Sequence, residues 1–357
     1  MSEVKTKLKN LRSLMSEQDV PAVALKGMDW FSWVTGGGTS VIAEVFITQD
    51  QAYVLTNPIE KDRLVAEELN QDFEVISFPW EKSSARQTFV HSRLNGRLCF
   101  SDRPAETERP LPSAFQILKM TLQSEEVARY RKIGRMAAEA MTEVLSKAQP
   151  DWSEHQLAGE GAKSLWSRGL DPTLVMVGGE SRLQRYRHPI ATHEKLGGCA
   201  MMAFCARSFG LFANLTRFVF FRDLTAKEEK NFQLVAQIEA SVLNHTVEGQ
   251  SLDSLYGNLS EAYLKIGQAE EIHNHDQGGI TGYLSREMLA SPESPTHLKL
   301  KTGMALAWNP SLPGAKIEDT VLLGSEGLEI LTEDPNWPCT QIQGRLRPQP
   351  LIRSNIN

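Results

Sequence analysis

Short apolar runs separated by turn residues dominate the first third of the chain. After a charged amphipathic opening segment come VPAVALKG, SVIAEVFIT and QAYVLTN, each bounded by Gly, Asp or Asn as short strands are. Residues 103–112 then concentrate prolines and charges, which is typical of a linker. The pattern predicts a small α/β domain over residues 1–118.

Helical periodicity and longer apolar runs alternate in the remainder. Apolar residues recur at helical spacing from Val127 to Val144, and Ser153 with Gln156 has the spacing of a capping box. Strand-like runs follow at TLVMVGG, CAMMAFCAR and GLFANLTRFVFF, then helices over 226–245 and 252–267, and strands at MALAWNP and DTVLLG. We expect an α+β domain over residues 119–340 and a tail over 341–357.

Composition limits the kinds of binding partner and the cellular environment that we expect. Of the 357 residues, 41% are hydrophobic and 23% charged, which predicts folded domains rather than long disorder. The formal charge of −6 comes without a basic stripe, so nucleic acid is not expected as a partner. No run approaches a membrane span, and the four scattered cysteines indicate free thiols. We therefore expect a cytoplasmic protein.

Four ordered blocks resemble the catalytic domain of the creatinase and aminopeptidase P family. They are CAMMAFCARSFGLFANLTRFVFF, HNHDQGGITGYLSRE, TGMALAWNP and KIEDTVLL, and DWFSWVTGGG is similar to the family's N-terminal domain. The resemblance spans roughly residues 15–335. It implies a pita-bread C-terminal domain preceded by a smaller α/β domain of the creatinase type.

In the peptidases of this family, two Asp, one His and two Glu hold a pair of divalent metals that activate a bridging water. Laid without gaps on the first block, the two aspartates fall at Ala203 and Asn214. The two glutamates fall at Asn309 and Glu318. The resemblance therefore implies that one of these four carboxylates is kept.

The family's metal histidine is harder to place. Anchoring on Arg286 puts it at Gly279, whereas an insertion would bring His275 into that role. Alanine and asparagine side chains do not offset the charge of two closely spaced dications. We expect no metal cofactor; if a single metal binds, His275 and Glu318 are its predicted ligands.

Creatinase shares this fold and works without metal, with a histidine as acid and base. His188 lies at about the position where the family carries its substrate-facing histidine, and Tyr186 is close to it. A neutral imidazole can take a proton from water and return it to a leaving nitrogen. His188 is thus the candidate base, with Glu318 as a second catalytic residue. Alternatively, His188 is a surface histidine and Glu318 belongs to a structural ion pair.

Six further residues are candidates for substrate binding. His273 and His275 alternate, so we expect both to face the same side of a strand, unless they form a solvent-facing strand end. Amides at the lost carboxylate positions favour a polar ligand, and Arg286 is suited to clamp a carboxylate unless it forms a surface salt bridge. Besides the two histidines, the candidates are Asn214, Asn309, Arg286 and Arg217.

Three functions are compatible with this sequence. The first is a metal-independent, creatinase-like hydrolase or lyase that cleaves a C–N bond of a small polar substrate or short peptide. The second is a non-catalytic pita-bread binding protein, and the third an Xaa-Pro peptidase with a single remodelled metal site. The resemblance also implies a homodimer, in which Asp29, Trp30 and Trp33 help to close the partner's cleft.

Overall fold

The computed structural model describes residues 2–40 and 42–354, apart from the side chain of Ser83. The chain divides into two compact units, Met1–Glu126 and Val127–Asn357. This division lies eight residues beyond the boundary that the sequence pattern indicated. Within the described residues, no helix combines the length and the apolar character needed to cross a bilayer.

The first unit contains a six-stranded mixed sheet in the order β4-β3-β2-β1-β5-β6. Its strands are β1 (Ala22–Leu25), β2 (Glu44–Thr48), β3 (Ala52–Thr56), β4 (Glu74–Ser77), β5 (Cys99–Ser101) and β6 (Glu108–Pro110). Its helices are α1 (Glu3–Glu17), α2 (Met28–Thr35), α3 (Lys61–Arg63), continued by a π-helical turn Leu64–Glu68, α4 (Ser83–Leu94) and α5 (Ser113–Met120). The proline-rich segment predicted as a linker thus supplies the edge strand β6, a position at which proline is tolerated.

Two aromatic residues expected at a partner's cleft lie instead in the core of the first unit. Trp30 and Trp33 are 2% and 1% exposed, and their rings meet edge to face at 5.5 Å. Asp29 forms an ion pair with the buried Lys119. Because burial of indole rings strongly favours folding, helix α2 turns these residues inward, and the prediction that they close another subunit's cleft is wrong.

The helices of the second unit differ in how they begin, and two of them start at a capping box. They are α6 (Ser124–Lys147), α7 (Glu154–Trp166), α8 (Glu180–Leu183), α9 (Ala226–His245) and α10 (Leu252–Lys265), followed by a 3-10 turn Ala269–Asn274. The predicted capping box of Ser153 and Gln156 is present at the start of α7. A second box, formed by Thr225 and Glu228, begins α9. Each box satisfies backbone N–H groups that the first turn leaves without intrahelical acceptors.

Two sheets and two hairpins complete the second unit. The four-stranded sheet runs β19-β9-β8-β7 and the five-stranded sheet β11-β10-β12-β15-β16. Its strands are β7 (Asp171–Gly179), β8 (Cys199–Ser208), β9 (Leu211–Phe220), β10 (Gly278–Thr281), β11 (Met288–Leu289), β12 (Ala305–Trp308), β13 (Ser311–Leu312), β14 (Ala315–Lys316), β15 (Asp319–Gly324), β16 (Gly327–Ile330), β17 (Cys339–Ile342), β18 (Arg345–Pro348) and β19 (Leu351–Ile352). The architecture is α+β, as the sequence predicts.

The segment expected to form a separate tail belongs to the second unit. Strand β18 pairs with β17, and β19 pairs in parallel with β9. Arg347 of β18 is 1% exposed and bonds to Glu239 and Asp319. Paired strands therefore run through the described part of the predicted tail, and its residues 355–357 lie outside the described residues.

Candidate active site

Strand register gathers the residues of interest on one face of the second unit. Because Trp308 pairs with Asp319 in the β12–β15 ladder, the next pair outward places Asn309 opposite Glu318. Glu318 also forms a bridge with Thr216 on β9. Asn214 is two residues from Thr216 on that strand and so shares its face. Three residues that the sequence analysis proposed therefore share one face of the paired strands: Asn214, Asn309 and Glu318.

The Glu318 carboxylate is held by a hydroxyl and two cations. Its Oε1 accepts a hydrogen bond from Arg286 Nη2 at 2.9 Å, and its Oε2 accepts one from Thr216 Oγ1 at 2.8 Å. Lys316 Nζ lies 3.8 Å from Oε2. Burial alone raises the pKa of this carboxyl, but Lys316 and Arg286 outweigh burial and lower it to about 2. Glu318 is thus ionised at neutral pH, and Arg286 is not in a surface salt bridge.

His188 and His275 form a contacting pair. Their Nε2 atoms are 2.7 Å apart, and the rings meet edge to face with centroids at 4.5 Å. His275 Nδ1 contacts the carbonyl oxygen of Asp276, which assigns its proton to Nδ1 and a lone pair to Nε2. His188 Nε2–H then donates to His275, and Nδ1 of His188 is left with the lone pair of a base.

Both imidazoles are biased toward the neutral form. Burial, followed by the charge of Lys316, lowers the pKa of His275 to about 3. Partial burial and then Lys316 also lower the pKa of His188. Asp276 and Glu318 oppose these shifts without reversing them. A neutral imidazole at physiological pH is the form that accepts a proton.

The histidine pair forms part of the wall of an open cavity of about 680 Å³. One side is fixed by an ion pair between Arg187 and Glu271. The ring of Tyr186, which is 47% exposed, is approached by two guanidinium groups, those of Arg182 at 5.5 Å and Arg185 at 5.6 Å. The cavity therefore presents an aromatic ring and charges of both signs, a lining suited to a small polar ligand.

Two predicted binding residues lie elsewhere. Arg217 donates to Asp319 and to the carbonyl oxygen of Thr332, and because side chains alternate along β9 it faces away from Thr216. His273 is exposed on the 3-10 turn, whereas His275 is extended and buried. The turn breaks the alternation on which their shared direction was predicted, so both expectations are wrong.

Lys316 is the site residue that sequence analysis did not propose. Its side chain is 6% exposed, and Nζ is 3.3 Å from His275 Nε2. It thereby connects the histidine pair with Glu318. The spacing of Lys316 and Glu318 could have indicated this contact, since residues two apart in an extended segment point to the same side. It was not used because a lysine beside a glutamate is usually a solvated pair.

Two amide oxygens near Glu318 are buried without a hydrogen-bonding partner among the described atoms. These are Asn214 Oδ1 and Asn309 Oδ1. Asn214 Nδ2 donates to Thr281 Oγ1 at 3.1 Å, which orients the amide. An unsatisfied buried acceptor costs about 1 to 3 kcal/mol. Neither residue lines the cavity beside the histidine pair, so binding of a substrate by these two amides stays a prediction.

The residues present do not fit a pair of divalent metals. Ala203 is buried and apolar, and Asn214 and Asn309 are neutral, so Glu318 is the one carboxylate among the four positions at which the resemblance implies metal ligands. Two like unit charges 4 Å apart repel by about 4 kcal/mol at an effective dielectric constant of 20. The repulsion between a dication and one unit positive charge at the same distance is twice as large. Two cations already contact Glu318, so a metal beside them is strongly disfavoured.

A single metal meets the same obstacle. Lys316 Nζ faces both predicted ligands, His275 Nε2 and Glu318 Oε2. His188, His275 and Asp276 also bring ligand atoms within 4.8 Å of one another, but Lys316 faces the same nitrogen of His275. As arranged here, these residues hold an ammonium group at the position that an ion would need.

Comparison with known proteins identifies the family. The model of metallopeptidase family M24 matches residues 128–325, more than half of the chain and all of the elements that carry the site. The chain belongs to metallopeptidase family M24. No curated protein matches this M24 chain.

Solved structures agree on the fold over nearly the whole M24 chain. An Xaa-Pro dipeptidase from Bacillus anthracis superimposes with a TM-score of 0.80 at 18% identity, covering 98% of this chain and 99% of that one. An X-Pro aminopeptidase from Thermotoga maritima gives 0.78 at 16%, covering 97% and 99%. The N-terminal domain of the FACT complex subunit SPT16 from chickpea gives 0.72 at 13%, covering 92% and 96%. The pita-bread fold is therefore confirmed.

Proposed function

We propose that this M24 chain is a metal-independent hydrolase that cleaves a C–N bond in a small polar substrate or short peptide. The observation that carries the proposal is the pair of His188 and His275, whose Nε2 atoms are 2.7 Å apart in the wall of an open cavity. A hydrolase fold of the Xaa-Pro peptidase superfamily supports it.

In the proposed reaction His188 Nδ1 is the general base. It takes a proton from a water molecule, and the oxygen of that water bonds to the carbon of the scissile C–N bond. His275 orients the base by accepting the Nε2–H of His188. His188 then returns the proton to the leaving nitrogen as the C–N bond breaks, so the imidazole ends neutral.

The neighbouring charges prepare the site for this reaction. Lys316 and Arg286 supply positive charge close to where an oxyanion would develop, and Glu318 holds both of them. Aromatic and charged groups around Tyr186 would bind the part of the substrate that does not react.

The test pairs metal analysis with turnover. After dialysis against a chelator, the protein is offered N-acyl amino acids, ureido acids, guanidino acids and Xaa-Pro dipeptides, each with and without manganese. We expect hydrolysis of one class without metal, and a loss of about 100-fold to 10,000-fold in His188→Ala. His193→Ala removes another histidine of the same segment and should keep full activity. Metal-dependent turnover, or an active His188→Ala, would contradict the proposal.

A non-catalytic binding function is the second candidate. It is favoured by the neutral residues Ala203, Asn214 and Asn309, and by the similarity in fold to a domain from a subunit of the FACT complex. In this case no class of substrate is turned over. A ligand found by thermal shift should then bind His188→Ala about as tightly as it binds the wild type, whereas the hydrolase loses turnover.

We also propose that the chain assembles as a homodimer, which the family resemblance implies. The buried state of Trp30 and Trp33 removes those two residues from any role at a partner's cleft. Light scattering measures the mass directly. A mass near 40 kDa at micromolar concentration, which is that of one chain, would contradict the proposal.

A further inference from the structure

One buried ammonium group lies between two typical metal-binding atoms. Lys316 Nζ is 3.3 Å from His275 Nε2 and 3.8 Å from Glu318 Oε2. The side chains of Lys316 and Glu318 are each 6% exposed. Burying a lysine is costly unless the charge is compensated, and here the Glu318 carboxylate compensates it.

We propose that Lys316 is the built-in cation of this site, whose ammonium group occupies the space between His275 and Glu318 and so keeps the site free of divalent metal. The proposal rests on the metal-independent function and gives it a structural cause. It makes Lys316 a positioning residue that sets the state of the histidine pair and of the carboxylate.

Backbone geometry fixes the ammonium group in this space. Lys316 ends the short strand β14, and Glu318 follows two residues later in an extended segment, so both side chains leave the backbone on the same side. Arg286 occupies the other oxygen of Glu318 through a hydrogen bond of 2.9 Å. The carboxylate thus contacts one cation at each oxygen, and both cations belong to the protein.

Without the lysine, the remaining groups form a set of ligands. His275 Nε2 and Glu318 Oε2, the two atoms beside Lys316 Nζ, would face the vacated space, and His188 Nε2 lies 2.7 Å from His275 Nε2. Two imidazoles and a carboxylate, with a fourth position left for water, are a donor set that zinc accepts. The site therefore has side chains that could bind a metal. It lacks the room and the charge balance that a metal ion needs.

The removal of Lys316 should convert the site into a zinc site. After incubation with zinc and dialysis, elemental analysis should find about one zinc ion per chain in Lys316→Ala and none in the wild type. The melting temperature of the variant should rise with zinc and fall with a chelator. Lys316→Ser is a second variant in case alanine disturbs folding.

Matched variants separate charge from other effects. Lys316→Arg keeps the positive charge and should bind no zinc. Lys301→Ala removes an exposed lysine and should also bind none. In the double variant Lys316→Ala with His275→Ala, the zinc should be lost again, which identifies the ligand.

A second readout does not depend on zinc. The charged groups that face the pair are Lys316, Asp276, Glu318 and Arg286. Removal of the ammonium group takes away a positive charge that disfavours protonation of the two imidazoles. NMR titration of Lys316→Ala should therefore give higher pKa values for His188 and His275 than the wild type has. Unchanged titration would contradict a direct effect of Lys316 on the pair.

The outcomes distinguish this inference from the proposed function. A folded Lys316→Ala that binds no zinc and leaves both histidine titrations unchanged overturns the role of Lys316 and leaves the metal-independent hydrolase standing. A wild type that retains about one metal ion per chain overturns both. A wild type without metal and without turnover, together with a variant that gains zinc, keeps the inference and rejects the enzyme.

Discussion

Among single residues, the Glu318 carboxylate has the clearest energetic role, because the buried Lys316 and the partly buried Arg286 both depend on it. In Glu318→Gln, Arg286 and Lys316 keep their charges and lose the anion between them. Removal of one partner from a buried ion pair costs about 3 to 5 kcal/mol. We expect a loss of about 3 kcal/mol in the free energy of unfolding, measured by urea denaturation at pH 7.

The exposed Glu326 provides the control for that measurement. Glu326→Gln should change the free energy of unfolding by less than about 0.5 kcal/mol, as surface substitutions usually do. If Glu318→Gln behaved like this control, the carboxylate would not be compensating the two cations, and the charge arrangement described for the site would be wrong.

His275 links stability to pH. Its pKa is about 3 in the folded protein and about 6.5 in an unfolded chain. Between these values the unfolded chain binds a proton that the folded protein does not, so the contribution is fully present above pH 6.5 and is lost as pH falls toward 3. From pH 7 to pH 5 the wild type should therefore lose about 1 to 2 kcal/mol more than His275→Asn.

Urea denaturation of both proteins at the two pH values measures this difference. His193→Asn serves as the control, because it should show the same pH dependence as the wild type. Equal losses in the wild type and in His275→Asn would mean that His275 is not held neutral by its surroundings.

At the residue scale, the roles proposed for His188 and Glu318 stay predictions, whereas sequence analysis misjudged residues whose direction depends on local geometry. Arg217 follows Thr216 on β9 and so faces the opposite side. His273 falls on a 3-10 turn that the sequence pattern did not indicate. Direction in these cases depends on where a regular element begins, which is the least certain part of a prediction from pattern.

At the scale of elements, long periodic segments were predictable and short paired strands were not. Helices α7 and α9 carry their start signals in the sequence as capping boxes. Strands β6 and β19 contain three and two residues, and they form because a neighbouring strand is already in place. Such strands depend on tertiary pairing, so the pattern indicated a linker at residues 103–112 and a tail at 341–357 without signalling β6 and β19.

Two glycines inside helices should respond to alanine with opposite signs. In α7, a methyl group at Gly159 would meet nothing within 4 Å, so Gly159→Ala should stabilise the protein by about 0.5 to 1 kcal/mol. In α6, a methyl group at Gly134 would overlap the backbone carbonyl of Leu331. Gly134→Ala should therefore destabilise by about 1 to 3 kcal/mol.

Thermal and urea unfolding of the two variants measure the signs. Each serves as the control for the other, because both change the same residue type in the same way inside a helix. Stabilisation by Gly134→Ala would show that α6 does not pack against the segment that contains Leu331.

For the whole molecule, the two-unit division predicts where the chain can be cut. Within the first unit, Lys7 Nζ bonds to Glu126 Oε1 at 2.8 Å, and the side chains of both are fully buried. Asp29 pairs with Lys119. A fragment of residues 1–126 keeps both pairs, whereas a fragment that ends at residue 118, the boundary indicated by the sequence pattern, loses both.

The longer fragment should therefore unfold in one cooperative transition, because it retains its sheet, its core and its buried ion pairs. The shorter fragment should be less stable by at least about 3 kcal/mol, since it buries Asp29 without the Lys119 ammonium. Urea denaturation followed by circular dichroism compares them, and Glu126→Gln in the longer fragment isolates the Lys7 pair. Equal stability of the two fragments would move the boundary back to residue 118.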